Sequence, residues 1–196
     1  NVLSFGMKAG MFGNSVDFSD INYRQDGDQL EGTGSVSQLS PNIGMGTFLY
    51  SQKYYIGVSV PRLLPSTVAG NSSNPDAKYK RHIFITGGYI FELSPTFKIK
   101  PTTLVKLVNS AKPQVDATLN FLIKETLWLG GFYRTSGHAG ILAQIQPIDS
   151  FRFGYSFDYP FSDLNTIDGF AGSHELMIGY ELGNKKSGKF KSPRYF

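Results

Sequence analysis

The strongest constraint on this chain is an alternation of side-chain type with a period of two residues. In the stretch 151–159 every odd-numbered residue is aromatic, and every even-numbered residue is small or charged. Alternate side chains of an extended strand point to opposite sides of a sheet. The stretch therefore predicts a β-strand with two unlike faces. The aromatic face consists of Phe151, Phe153, Tyr155, Phe157 and Tyr159, and the other face of Arg152, Gly154, Ser156 and Asp158.

The same alternation recurs in 97–107, 114–124 and 175–182, with Leu122 as an exception, and helical periodicity is nearly absent. The pattern predicts about ten strands of about 9–13 residues, whereas strands of soluble proteins usually have about 5–6. A tilted strand needs about 9–11 residues to cross a bilayer. The strand lengths therefore favour a membrane protein. The predicted strands are 1–13, 41–50, 53–61, 80–92, 96–108, 114–124, 126–135, 138–147, 150–159 and 173–183.

The composition of the two faces indicates which side of the sheet meets lipid. One face carries glycine, serine, threonine and isolated charges, and the other carries aromatic and aliphatic side chains. A transmembrane barrel turns its apolar face outward, whereas a soluble barrel turns it inward. Alternation alone does not separate these two cases, but strand length and an aromatic content of 14% favour the membrane. We therefore predict an all-β, antiparallel transmembrane β-barrel of the outer membrane, with a soluble ligand-binding barrel as the alternative.

Charged residues occur singly on the polar faces, where they are candidates for setting an ion preference. Such residues more often pair with one another inside a small barrel, and we expect pairing here. The candidates are Lys98, Lys100, Lys106, Asp116, Arg134, Arg152, Asp158, Glu175 and Glu181.

The connections between the predicted strands differ in length at the two ends of the sheet. The long polar connections 14–40, 62–79 and 160–172 all follow odd-numbered strands, and the tight turns near residues 51–52, 94–95, 124–125 and 147–149 all follow even-numbered ones. The remaining connections, 109–113 and 136–137, are short and fall on the side of the long ones. Bacterial barrels have short periplasmic turns and longer external loops. This parity predicts that the long loops lie outside the cell and that the C-terminal tail lies in the periplasm.

Composition and charge exclude several classes of protein. The chain is too apolar and aromatic for a disordered protein, it has no cysteine for a disulfide or Cys-based metal site, and it lacks a run of about 18 apolar residues. The net charge of +4 comes from the basic end of the chain, so nucleic-acid binding is not indicated. We predict a barrel domain over 1–183 and a basic periplasmic tail over 184–196. The basic residues of the tail are Lys185, Lys186, Lys189, Lys191 and Arg194.

No motif in the sequence predicts catalysis, a cofactor or a metal site. His174 and Glu175 begin like a zinc-protease motif, but the position of the second ligand is Ile178. We interpret His174 and Glu175 as a polar pair in the lumen or at its rim. Asp26 and Asp28 do not have calcium-loop spacing, and we interpret them as part of a solvated external loop that contacts a partner. We expect a protein that is not an enzyme.

Specific features of the sequence meet at its C-terminus and continue in order through the chain. Gly172, Ser173, His174 and Glu175 open the last predicted strand, a basic tail follows, and the end reads Ser192, Pro193, Arg194, Tyr195 and Phe196. Segments 40–46, 53–59, 87–91, 127–130 and 153–159 complete a pattern that resembles the PorP/SprF family. These are outer-membrane barrel proteins of the type IX secretion and gliding machinery of Bacteroidetes.

The resemblance also bears on the extent of the chain. The sequence starts directly in patterned residues, which we interpret as a processed product or a fragment. Because family members extend further at the N-terminus, the resemblance implies missing N-terminal strands and a complete barrel of about 14 strands, an even number as in bacterial barrels generally.

The resemblance implies a role in export or surface anchoring of a secreted adhesin or other sorting-domain protein, with gliding motility as one context. A barrel of this size does not pass a folded adhesin through its lumen, so docking is favoured over conduction. The expected partners are outer-membrane lipid, the secreted protein at the three long loops, and periplasmic machinery subunits or anionic lipid heads at the basic tail. A small diffusion porin is the alternative function. An outer-membrane enzyme is disfavoured because no convincing Ser/His or Asp/His group is found.

Overall fold

The computed structural model describes residues 1–17, 35–64, 66–67, 78–109, 111–148, 150–161 and 172–180. In these ranges every regular element is a β-strand. The described residues therefore contain no helix that could span a membrane. The strands are β1 (Val2–Asp17), β2 (Ser35–Tyr50), β3 (Tyr54–Val60), β4 (Ser66–Thr67), β5 (Lys78–Tyr79), β6 (His82–Tyr89), β7 (Phe91–Ser94), β8 (Phe97–Val108), β9 (Gln114–Ile123), β10 (Leu127–Arg134), β11 (His138–Ile148), β12 (Phe151–Pro160) and β13 (Ser173–Tyr180).

The strands form one antiparallel sheet in the order β1-β2-β3-β6-β8-β9-β10-β11-β12-β13, with β7 added beside β8. Strands that follow one another in this order are joined by hairpins, except that β4 and β5 are inserted between β3 and β6, and β7 is inserted between β6 and β8. The short β4 and β5 pair with each other in the connection from β3 to β6. The predicted all-β antiparallel architecture is therefore confirmed. The turns from β2 to β3, β7 to β8, β9 to β10 and β11 to β12 lie at one end of the sheet, and the connection from β3 to β6 and the short connections from β8 to β9 and from β10 to β11 lie at the other. We call these the turn end and the loop end.

Two predicted strand limits differ from the structure. The first hairpin is longer than predicted, because β1 and β2 stay paired as far as Asp17 and Ser35. Residues 14–17 and 35–40 of the predicted loop 14–40 are therefore strand. The predicted strand 80–92 is interrupted at Ile90, whose N–H donates a hydrogen bond of 2.7 Å to the Lys53 carbonyl. Ile90 is 1% exposed, so the break places its side chain in a buried position.

In each strand the mainly apolar set of alternate side chains forms a row, and the register of the sheet places these rows on the same face. Directly opposed residues of antiparallel neighbours share a face. Tyr155 is opposed by Ala143 and Leu176, and Leu119 is opposed by Pro101 and Gly131. We call this the outer face. The other side, the inner face, carries the polar row on each strand, so the predicted division of faces is confirmed.

Large apolar side chains of the outer face are exposed. Phe153 is 43% exposed and Ile141 is 58% exposed, whereas only Ile90 and Leu122 are buried hydrophobic residues in the described part of the chain. Aromatic rings contact one another near both ends of this face. Phe97 stacks on Phe121 at the turn end, and Tyr133 stacks on Phe161 at the loop end. An apolar band between two aromatic zones is typical of a transmembrane barrel.

The sheet is strongly curved, and its inner face is concave. Thr86 on β6 and Glu175 on β13 line one cavity of about 350 Å³, although β8 to β12 lie between their strands in the sheet. Such residues can share a cavity only if the sheet bends around it. Leu122, the exception in the sequence pattern, belongs to this concave side, where it is opposed by Lys98 and Trp128 and is 2% exposed.

One glycine of the inner face is required by close packing. A Cβ atom on Gly140 would overlap the Phe157 carbonyl oxygen and lie 2.5 Å from Phe132 Cε1. We expect Gly140→Ala to destabilise the fold by about 1–3 kcal/mol, because the strand or the ring must shift. Chemical denaturation in detergent micelles measures the effect. Gly10→Ala is the control, since no atom lies within 4 Å of a Cβ at Gly10, and an equal loss in both variants would contradict the packing argument.

Candidate functional site on the inner face

Five side chains form a connected ion network on the inner face near the loop end. They come from five consecutive strands of the sheet and reach one another because these strands share the concave side. The members are Lys106 on β8, Asp116 on β9, Arg134 on β10, His138 on β11 and Asp158 on β12.

Asp116 is the centre of one half of the ion network. Its Oδ2 accepts a hydrogen bond of 2.9 Å from Lys106 Nζ, and its Oδ1 accepts one of 2.9 Å from Gln114 Nε2. Arg134 Nε lies 3.3 Å from Asp116 Oδ1. That contact lacks hydrogen-bond geometry, so Nε has an ionic partner but makes no hydrogen bond. Asp116 thus faces two cations and is 15% exposed.

Asp158 holds the other half of the ion network. Its Oδ2 lies 3.5 Å from Arg134 Nη1, and its Oδ1 accepts a hydrogen bond of 3.0 Å from His138 Nδ1. Arg134 therefore bridges both carboxylates. Lys106 and Arg134 thus balance the two carboxylates of the network in formal charge. A balanced cluster is suited to holding the strands together rather than to attracting ions.

A second polar cluster lies near the turn end of the inner face. Lys98 is 8% exposed and donates a hydrogen bond of 2.8 Å to Glu125 Oε1 in the turn between β9 and β10. Lys100 Nζ lies 5.5 Å from the centre of the Trp128 ring and 5.9 Å from that of Tyr55. These rings belong to β10 and β3, so Lys100 joins distant strands across the concave side through cation–π contacts.

A cavity of about 420 Å³ lies beside this cluster, and we call it the inner cavity. Its lining includes two cations and one carboxylate, together with amide side chains and the only tryptophan of the chain. Its polar lining includes Lys100, Arg152, Glu175, Asn120, Gln144 and Gln146, and Trp128 forms part of its wall.

At the loop end, the connection from β3 to β6 is fastened to β1. The Arg62 guanidinium lies 4.4 Å from the centre of the Phe12 ring and 4.6 Å from that of Tyr79. Phe12 and Tyr79 also contact each other edge to face at 5.1 Å. The Leu63 N–H donates a hydrogen bond of 2.8 Å to the Ile43 carbonyl. These contacts give the described part of this connection a defined path at the loop end.

The structure resolves several interpretations of single residues. The predicted pairing of inner charges is confirmed for Lys98, Lys106, Asp116, Arg134 and Asp158. Pairs between strands that are not neighbours, such as Arg134 with Asp158, depend on curvature and have no signal in the sequence. His82 and His138 are the first residues of β6 and β11. Within the described ranges, no cluster of His, Asp or Glu is arranged to hold a metal ion.

The interpretation of His174 and Glu175 as a polar pair is wrong. Neighbouring residues of β13 face opposite sides, so Glu175 points to the inner cavity while His174 lies on the outer face. There the His174 ring contacts Phe157 at 4.7 Å, and its Nδ1 lies 2.8 Å from the Tyr155 hydroxyl. The Tyr155 hydroxyl is therefore the hydrogen-bond partner of the His174 imidazole on the outer face.

The residues predicted to bind partners lie outside the described residues, as does most of the C-terminal part of the family pattern. Gly172, Ser173, His174 and Glu175 do open β13 as the pattern requires. The partner contacts of the loops and tail stay predictions. The residues outside the described ranges are Asp26, Asp28, Glu181, Lys185, Lys186, Lys189, Lys191, Ser192, Pro193, Arg194, Tyr195 and Phe196.

A curved antiparallel sheet with an exposed apolar exterior and an ion-paired concave interior defines the membrane β-barrel class of protein. The family model of the type IX secretion system membrane protein PorP/SprF matches residues 1–180. The chain belongs to this family, and the resemblance found in the sequence is confirmed. No curated protein and no solved structure shows significant similarity to the chain.

Proposed function

We propose that this protein is an outer-membrane barrel that anchors a secreted sorting-domain protein at the cell surface or supports its export, and that it is not an enzyme. The family supplies the type IX secretion context. The observation that carries the outer-membrane location is the exposed apolar outer face, with aromatic contacts near both ends and polar groups confined to the concave side.

The interior supports docking rather than conduction of a folded protein. The ion network joins β8 to β12 along the concave side near the loop end, and Lys100 contacts rings of β3 and β10 near the turn end. The cavities on this side, of about 420 and 350 Å³, fall in the range of small-ligand sites. A folded domain is far larger, so a secreted partner would contact the barrel from outside.

The loop end is the favoured contact surface for such a partner. Arg62 lies between the Phe12 and Tyr79 rings and fastens the β3–β6 connection to the wall of the sheet. A connection held in one path loses less conformational freedom when a partner binds. Residues 14–40, 62–79 and 160–172 remain the predicted contact segments, and the basic tail remains the predicted contact for periplasmic machinery or lipid.

Affinity purification from native membranes tests this proposal. After membrane fractionation and chemical cross-linking, we expect the protein in the outer-membrane fraction together with a sorting-domain protein or a secretion-machinery subunit. Arg62→Ala should lower recovery of a secreted partner, whereas Lys53→Gln at the turn end should leave it unchanged. Correctly located protein that captures neither kind of partner would contradict the anchoring role. Loss of surface spreading in a deletion strain would place the role in gliding motility.

A small diffusion porin is the second candidate, because the concave side holds polar cavities. Planar-bilayer recordings separate the two functions. We expect the intact protein to show no steady single-channel conductance, since paired charged side chains and aromatic rings occupy the concave side. Steady ion flow through the unmodified protein would favour the porin.

A further inference from the structure

Charged residues of the inner face group near the two ends of the sheet. Asp116, Asp158 and Glu175 are each the third residue from the loop end of their strands, β9, β12 and β13, and the cations Lys106 and Arg134 lie near the same end. Lys98 and Arg152 are each the second residue from the turn end of β8 and β12, and Lys100 lies two residues beyond Lys98. Acids and cations are therefore mixed near the loop end, whereas Lys98, Lys100 and Arg152 lie toward the turn end.

Ion pairs balance part of these charges. Near the loop end, Lys106 and Arg134 contact Asp116 and Asp158. Near the turn end, Lys98 contacts Glu125. Lys100 and Arg152 line the inner cavity together, where the one acidic lining residue is Glu175 on the loop side. The cavity therefore has an excess of one positive formal charge, located toward the turn end.

The rest of the lining suits a ligand with peptide-like polarity. Asn120, Gln144 and Gln146 offer amide donors and acceptors, which match the N–H and C=O groups of an extended peptide. Arginine accommodates a carboxylate through two parallel N–H donors, and lysine adds a point charge. Trp128 supplies an apolar wall. The cavity volume of about 420 Å³ falls in the range of small-ligand sites.

We propose that the inner cavity is a binding site for a carboxylate-bearing ligand, in which Arg152 and Lys100 receive the carboxylate and the amide side chains hold the adjoining polar groups. An acidic peptide segment and a free organic dicarboxylate share this chemistry. The amide lining favours the peptide. This site is separate from the anchoring role proposed above, because it faces the interior rather than the loop end.

The single tryptophan gives a direct measurement of binding. The full chain in detergent micelles is titrated with a short oligoglutamate peptide while Trp128 emission is recorded. Matched titrations use oligoglutamine, oligolysine and glutarate. We expect a saturable change with oligoglutamate, a weaker one with glutarate, and none with oligoglutamine or oligolysine. Glutarate binding as tight as the peptide would support the site and assign it to free anions. No saturable change with either acid, or an equal response to oligoglutamine, would overturn the proposal.

Two variants with opposite expected effects test the role of charge. Arg152→Gln should weaken oligoglutamate binding about tenfold, as for loss of a charge-assisted hydrogen bond. Glu175→Gln should tighten it about threefold, because a like charge leaves the cavity. Lys112→Gln is the control for Arg152→Gln, because it also removes one positive charge but lies in the exposed β8–β9 connection. It should leave the affinity for oligoglutamate unchanged. If Arg152→Gln does not fold, Glu175→Gln still decides, and unchanged affinity in that variant would contradict the proposal.

Discussion

Replacing Asp116 by Asn is expected to destabilise the folded sheet by about 2–3 kcal/mol, the largest loss from any single inner-face charge. The substitution keeps the size of the side chain but removes the charge between Lys106 Nζ at 2.9 Å and Arg134 Nε at 3.3 Å. Two cations then face each other with Asp158 as the remaining acid of the ion network. Because these side chains are 15–30% exposed, water relieves part of the cost, and the expected loss lies below that of a fully buried pair.

Urea titrations in detergent micelles, followed by Trp128 emission, measure this loss. Glu92→Gln is the matched control, since it breaks the Lys53–Glu92 pair of 3.7 Å, whose side chains are 53% and 45% exposed. An exposed pair of this kind contributes about 0–1 kcal/mol. Adding Arg134→Gln to Asp116→Asn should cost less than the sum of the single variants, because the second change removes an unpaired cation. Additive losses would show that the two residues act independently.

The sequence predicts the faces of this sheet well because the faces are a local property. A period of two residues assigns each side chain to one side, and only the register of neighbours is needed to join the rows. Lys98, Asp116 and Arg152 therefore lie on the inner face as the alternation requires. The same pattern marks Leu122 as an exception, and the structure explains it as an apolar contact on the concave side.

Other features escaped prediction because they depend on distant parts of the chain. Residues 35–40 show no clear apolar alternation, yet they pair with β1 because register established further along the hairpin continues through them. Ile90 interrupts its strand through a hydrogen bond to Lys53, far away in sequence. The choice of Asp158 as a partner for Arg134 requires the curvature of the sheet, since β11 lies between their strands.

Replacing Leu119 by Arg is expected to destabilise the protein in a lipid bilayer by about 2–4 kcal/mol, the cost of a cation on the lipid-facing side near the midplane. Leu119 lies midway along β9 on the outer face, is 43% exposed, and is opposed by Pro101 and Gly131. None of these neighbours can pair with a guanidinium. Urea titration in liposomes measures the loss, and the folded fraction during insertion gives a second readout.

Comparison with Thr118→Arg, one residue earlier in β9, shows which face of the sheet meets lipid. Thr118 points to the opposite side, where it lines the cavity of about 350 Å³ together with Asp116 and Asp158. A cation there meets carboxylates and space, so we expect a loss below about 1 kcal/mol. A soluble barrel of the same geometry would give the opposite result, because its outer face, with Leu119, would meet water and its concave side, with Thr118, would be the packed interior. If Thr118→Arg were the damaging change and Leu119→Arg the tolerated one, the outer face would not meet lipid, and both the membrane location and the anchoring role would fall together.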